Sequence, residues 1–146
     1  DTFGAFNTEE DLQDFVRDNL SVGVLTERAG TKGHFFYVVK KDSKLIAYCY
    51  LVQNSPVEHV TAESPVELSK LYVDKDFHGK GVGSFIMNEI LLKVKKWGHD
   101  KLWLSVWENN HNAKKFYKRY PFELVGTWEY PVGAKKDIDE IWAMDL

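Results

Sequence analysis

Three glycines at alternate positions, Gly79, Gly81 and Gly83, stand between a strand-like run and a helix-like run, and this arrangement most limits how the chain can fold. The run before them, Glu67-Leu68-Ser69-Lys70-Leu71-Tyr72-Val73, carries the aromatic and branched residues of a strand. The run after them, Ser84 to Trp97, repeats apolar residues at helical spacing, with Ile86, Ile90, Val94 and Trp97 on one face. A glycine turn feeding a helix lets backbone amides reach a bound group with no Cβ in the way, and the positive end of the helix dipole lies behind them. The segment therefore predicts strand, turn and helix, with an anion site at residues 79–84 suited to phosphates.

Two common phosphate loops do not fit. In the dinucleotide fingerprint Gly-x-Gly-x-x-Gly, the third glycine would fall on Ser84 or on Ile86, depending on the register. No Gly-Lys-Ser/Thr closes a Walker loop. The pattern Gln/Arg-x-x-Gly-x-Gly/Ala does fit, with His78, Gly81 and Gly83 in its three places, and it resembles the pyrophosphate loop of the GNAT superfamily of N-acetyltransferases. Glu67 to Val73 and the later Asn110-His111-Asn112-Ala113-Lys114-Lys115-Phe116-Tyr117 resemble that family's other two signatures, in the same order. There are two departures. His78 replaces the usual Gln or Arg in a loop that binds mainly by backbone, and its protonation would add a pH dependence. Pro121 stands where the family commonly has glycine, so the turn after that helix must differ.

The rest of the chain is consistent with one domain. At 146 residues and 44% hydrophobic, it is long enough to bury about two-thirds of its unfolded surface. No apolar run approaches the ~18 residues that a membrane helix needs, and no signal peptide is visible. A net charge of −3 gives no support for a nucleic-acid surface. The lone Cys49 sits in an apolar strand-like run and reads as a buried, inert thiol in a reducing cytoplasm. Near the start, Thr8 can cap a helix whose stripe is Leu12, Phe15, Val16 and Leu20, with Glu9, Glu10, Asp11, Asp14 and Asp18 on its other side. His34–Val39 and Lys44–Gln53 predict a hairpin across Lys40-Lys41-Asp42-Ser43. The second of these strands is apolar on both faces and belongs inside a sheet.

Residues 54–65, with two prolines, read as a solvated loop, and its His59, Glu58 and Glu63 show no metal-ligand spacing. Leu102–Trp107 predicts a strand. Asn110 or Asn112 caps a short helix ended by Pro121, and strands follow at Phe122–Tyr130 and Glu140–Leu146, joined by residues 133–137. The order predicts an α/β fold. The resemblance implies a GNAT-like mixed, mostly antiparallel central sheet, with a splay between two parallel strands and helices on both faces. It implies a single N-acetyltransferase domain over residues 1–146. Residue 1 would correspond to the tail of the family's first helix, so that the family's first strand and most of its first helix are absent.

The resemblance also implies acetyl-CoA as co-substrate, with no metal. The cofactor-binding residues would be Leu71, Tyr72, Val73, His78, Gly79, Lys80, Gly81, Val82, Gly83, Ser84, Asn110 and Tyr117. Amides of 79–84 would take the pyrophosphate, and Lys80 would add charge at the loop's edge. Main-chain groups of Leu71 and Val73, left unpaired by the splay, would take the amides of the pantetheine arm, as an added strand would. Asn110 would hold the arm from the other side or simply cap its helix. The catalytic candidates are Glu67, as proton acceptor for the amine, and Tyr117, as proton donor to the departing sulfur. No activated Cys or Ser arrangement is visible, so attack would be direct, in a ternary complex.

Glu67 to Val73 and the tail from Tyr130 through Leu146 are also similar to the bacterial spermidine/polyamine acetyltransferase branch, which adds polyamines to the implied amine acceptors. The acidic residues between 9 and 18, with Glu58, Glu63 and Glu67, would suit a polycation. Protein amines and a silent acyl-CoA-binding module remain as alternatives. Trp128, Tyr130 and Trp142 are candidates for a homodimer surface, though packing into the core explains such aromatics as well.

Overall fold

The computed structural model describes residues 20–27 and 32–146, with side chains from residue 32 onward. The described residues form two compact units: those up to Val52 with Leu68–Lys93, and Gln53–Glu67 with Val94–Leu146. The helix expected from Thr8, and its acidic side, lie outside the described residues.

In the first unit the strand order is β1 (Leu20–Glu27), β2 (His34–Lys41), β3 (Lys44–Gln53), β4 (Pro65–Val73). β1 was not expected, and Leu20, read as the end of a helical stripe, is its first residue. A strand signal was present: Leu20, Val22, Val24 and Thr26 alternate with period two, interrupted to the eye by Gly23. β1–β2 and β2–β3 are antiparallel. Asp42 and Ser43, with φ of 51° and 68°, make the two-residue turn of the predicted hairpin, the primed geometry that matches strand twist. β3 lies between β2 and β4, as its two apolar faces required, and Ile46, Ala47, Cys49 and Leu51 are buried. Burial pushes the Cys49 thiol up to about 12, which makes it inert at neutral pH. The helix α1 (Val82–Lys96) buries Ile86, Ile90 and Val94 of the expected stripe, together with Met87, while Trp97 falls just beyond its end.

The second unit has the order β4, β5 (Lys101–Trp107), β7 (Lys135–Asp145), β6 (Glu123–Val132). β5 runs antiparallel to β7, which is antiparallel to β6. β4 and β5 are parallel, and among the described residues their ladder covers only Pro65↔Lys101, Val66↔Leu102 and Glu67↔Trp103. β4 itself continues to Val73 and β5 to Trp107. β6 and β7 reach further than expected and meet at a two-residue turn, with Gly133 at φ 61°. Polar Lys135, Lys136 and Asp137 were expected in the connection, but this end of the hairpin is largely exposed and tolerates them as strand. Val66, Leu102, Leu104 and Ile141 are fully buried, each contributing about 1.5–3 kcal/mol relative to exposure. The short helix α2 (His111–Tyr117) is held by buried Phe116 and by a 3.2 Å ion pair from Lys114 to Glu140. Among the described residues, no helix is long and apolar enough to cross a membrane.

Residues 54–64 form the expected loop, with Glu58, His59 and Glu63 exposed, and the loop is also pinned to the rest of its unit. Val57 and Val60 pack against Trp103, Ile141 and Ala143. The His59 ring lies so close to Gly126 that an added Cβ there would meet it at 2.4 Å. His99, buried, contacts Ser64 Oγ at 2.9 Å through Nδ1 and Gln53 Nε2 at 3.1 Å through Nε2. The Asp100 carboxylate accepts from the amides of Glu63 and Ser64, both at 2.9 Å. Those two bonds, Glu63 first, hold its carboxyl below the ordinary range. A depressed carboxyl stabilises the fold above its unfolded value, and that contribution is lost as pH falls through the folded value. Asp100→Asn should therefore lower the melting temperature at pH 7 and narrow the difference between pH 7 and pH 3, as thermal unfolding at the two pH values would show.

Candidate active site

The glycine turn is built from short local bonds. After β4, the Asp74 carboxylate accepts from the Asp76 amide at 2.9 Å and caps a single 3-10 turn, Lys75–Phe77. Gly79 and Gly81 follow with φ of 75° and 80°, a region that costs an L-residue about 1–2 kcal/mol. α1 begins at Val82, two residues earlier than its periodicity suggested, so Gly83 lies in its first turn rather than before it. Phe85 N–H donates to Gly81 O at 2.9 Å. The amides of Val82, Gly83 and Ser84 precede that bond and have no acceptor within the helix. Gly81, Val82 and Gly83 are buried, and Lys80 is exposed with its Nζ 5.8 Å from the Phe77 ring centroid. Two glycines at positive φ leading into the first amides of a helix fit an anionic group without any side chain taking part.

His78, the departure from the family pattern, has a defined place. Its Nε2 donates to Val73 O at 2.7 Å, which fixes the proton on Nε2 because a carbonyl only accepts. The expectation that Val73 leaves its main-chain groups unpaired is thus corrected for the carbonyl, which already has one partner. Leu71 is half-buried, and Tyr72 is exposed with its ring 5.4 Å from that of Tyr48.

In the second unit, Glu67 is half-buried at the last pair of the parallel ladder, opposite Trp103. Ser55 Oγ donates to Glu67 Oε1 at 3.1 Å. Ser55 is held through both of its main-chain groups: its N–H donates to Pro65 O at 3.0 Å, and its carbonyl accepts from Trp103 Nε1 at 2.8 Å. Nothing in the sequence singled out Ser55; only a serine before a proline at a strand end marks it. Asn110 caps α2, its Oδ1 accepting from the Ala113 amide at 3.2 Å, which decides the capping alternative in its favour over Asn112. Tyr117, at the end of α2, sits edge-on to Phe116 and Phe122, with centroids at 5.3 Å and 5.8 Å. α2 ends at Tyr117 with Lys118 as its C-cap, before Pro121, which corrects the expectation that the proline ends it; a turn with bonds from Arg119 N–H to Phe116 O and from Phe122 N–H to Tyr120 O carries the chain past Pro121.

Trp142 is buried, its Nε1 donating to Glu140 Oε1 at 3.0 Å, whereas Trp128 and Tyr130 are exposed. A cavity of about 380 Å³ in the second unit, lined by Lys101, Pro121, Glu123, Val125 and Met144 among others, includes neither Glu67, Asn110 nor Tyr117. Among the described residues, no cluster of three or more His, Cys, Asp or Glu is placed to hold a metal ion.

The acetyltransferase (GNAT) family profile matches residues 4–122. An uncharacterized N-acetyltransferase from the pepI 3' region of Lactobacillus delbrueckii subsp. lactis is 32% identical over 117 residues, 80% of this chain and 68% of the relative. A spermine/spermidine N(1)-acetyltransferase of Bacillus subtilis is 26% identical over 77 residues, 52% of this chain and 50% of that protein. In fold, the chain is similar to a GNAT family acetyltransferase from Elizabethkingia anophelis crystallised with acetyl-CoA, with a TM-score of 0.68 at 16% identity, covering 88% of this chain and 99% of the other.

Proposed function

Because the chain belongs to the acetyltransferase (GNAT) family, whose co-substrate is acetyl-CoA, we propose that it transfers the acetyl group to a primary amine by direct attack in a ternary complex, with a polyamine as acceptor. The observation that carries the reading is the turn at Gly79 and Gly81 opening onto the bare amides of α1. Residues 1–146 act in it as one catalytic domain, in a reducing cytoplasm that suits the lone buried Cys49.

The loop amides of 79–84 take the pyrophosphate, and Leu71, Tyr72, Val73 and Asn110 line the arm. An alkylammonium, with a pKa of about 10.4, must lose a proton before it can attack, at a cost of roughly 4–5 kcal/mol at neutral pH. Glu67 accepts that proton, directly or through a water. The amine nitrogen bonds to the carbonyl carbon, the carbon–sulfur bond breaks with its electron pair on sulfur, the Tyr117 hydroxyl protonates the thiolate, and the second nitrogen proton, strongly acidic once the amide forms, passes to the Tyr117 phenolate and restores the hydroxyl. The polyamine assignment draws on the partial similarity to the spermine/spermidine acetyltransferase and on the carboxylates of Glu58, Glu63 and Glu67 in the second unit.

The reading includes a second copy of the chain as partner. β6 ends its strand order and exposes Leu124, Trp128, Tyr130 and Val132. Sedimentation at twice the chain's 16.9 kDa supports that partner, and sedimentation at the single mass removes it.

Replacing Gly81 by Ala puts a Cβ on a residue at φ 80° and should weaken binding of CoA about tenfold, as measured by calorimetry. Thiol release from acetyl-CoA, followed with spermidine, spermine, free amino acids, lysine peptides and buffer alone, tests the function itself. Saturation with a polyamine supports the reading. Turnover only with lysine peptides moves the acceptor to protein amines, and binding without any turnover points to a silent acyl-CoA-binding module.

A further inference from the structure

We infer that Ser55 is a positioning residue for the reaction, its hydroxyl holding the Glu67 carboxylate in the orientation that receives the proton of the amine. The inference rests on the role given to Glu67 in the proposed function.

Three bonds carry it. Ser55 Oγ donates to Glu67 Oε1 at 3.1 Å, while the Ser55 amide and carbonyl are tied to Pro65 O and Trp103 Nε1 at 3.0 and 2.8 Å. Pro65 lies two residues before Glu67 on β4, and Trp103 is the cross-strand partner of Glu67 in the ladder. Trp103 is itself only 3% exposed. The donor and the acceptor of the Ser55–Glu67 bond are thus anchored to the same few residues of sheet, so the hydroxyl is a fixed reference for the carboxylate. A glutamate side chain otherwise has three torsions free to turn, and ordering it costs up to about 2 kcal/mol. One hydroxyl occupies one of about four acceptor positions on a carboxylate and leaves capacity for a proton.

A serine that merely packed a loop would not touch the carboxylate, and its removal would leave the titration of Glu67 in place. The anchoring bonds of Ser55 are main-chain bonds, so Ser55→Ala keeps them and should fold. The first measurement follows the Glu67 carboxyl by carbon-13 NMR against pH, with Glu67→Gln to assign the signal. In Ser55→Ala the midpoint should rise by about one unit, because a hydrogen bond to the charged form has been removed, and Ser55→Thr should restore it. The second measurement is steady-state thiol release with whichever amine of the panel is fastest. Ser55→Ala should lower kcat about tenfold with the KM for acetyl-CoA unchanged, and Ser55→Thr should recover most of the rate.

An unmoved midpoint in Ser55→Ala overturns the inference, as does a Thr variant as slow as the Ala variant. If Glu67→Gln abolishes turnover while Ser55→Ala changes neither readout, Ser55 alone loses its role. If Glu67→Gln turns over normally, or no amine is acetylated, the proposed function fails and takes the role of Ser55 with it.

Discussion

Tyr117→Phe should lower kcat at least 100-fold and leave the affinity for CoA within about twofold, the loss expected when a proton donor in the transition state is removed. The geometry makes the substitution a clean one. The Tyr117 ring is held edge-on by Phe116 and Phe122, both buried, and a phenylalanine presents the same edges and faces to them. α2 is held by its Asn110 cap and by the Lys114–Glu140 pair, none of which involves the hydroxyl. The substitution removes the O–H, the proton donor of the proposed mechanism. Stopped-flow thiol release gives the rate, and calorimetry with CoA gives the affinity. A parallel fall in both would mean that the hydroxyl binds the cofactor and does not act as an acid, and an unchanged kcat would remove Tyr117 from the chemistry.

Glu67→Gln should cost about 100-fold or more in kcat at pH 7, within the usual span for a lost general base. The amide keeps an oxygen that can accept from Ser55 Oγ, so the shape of the site is retained while its basicity is lost. The pH dependence separates this from a packing defect. As pH approaches about 10.4 the acceptor amine sheds its own proton, so the deficit of the variant should shrink toward unity. A deficit that stays constant from pH 7 to 10 would show that Glu67 does not accept the proton, and another group would have to be sought.

The turn between β4 and α1 was readable in the sequence because it depends on residues that are hard to exchange. Gly79 and Gly81 occupy φ values that other residues resist, so the conformation leaves its trace in the amino acids. A cap at Asn110 or Asn112 was legible because capping needs a short polar side chain at the start of a helix, and Asn110 supplies it. The strand bounds were less legible. Leu20 also completes a helical stripe, which hides the start of β1, and the outer part of β7 is hard to read because an exposed strand does not need apolar residues. Least legible was the segment 54–64. Its position depends on Asp100, Trp103 and Gly126, far away in sequence, and no local pattern announces such partners. Ser55 could not be singled out for the same reason: its importance lies in what the fold places beside it.

The span of those bonds along the chain bears on the order in which the protein acquires its parts. The turn after β4 closes through bonds between residues two to five apart, such as Asp76 to Asp74, Phe85 to Gly81 and His78 to Val73. Segment 53–64 is fixed instead by bonds spanning 35 to 48 residues, to His99, Asp100 and Trp103. Loop-closure entropy delays such distant contacts until the strands that supply them are in place. A folding chain should therefore shape its phosphate turn early and settle Ser55 against β5 late. Competence to bind the cofactor would then precede competence to turn it over, and pulse-labelled hydrogen exchange should find the amides of Phe77, His78 and Phe85 protected before those of Glu63 and Ser64.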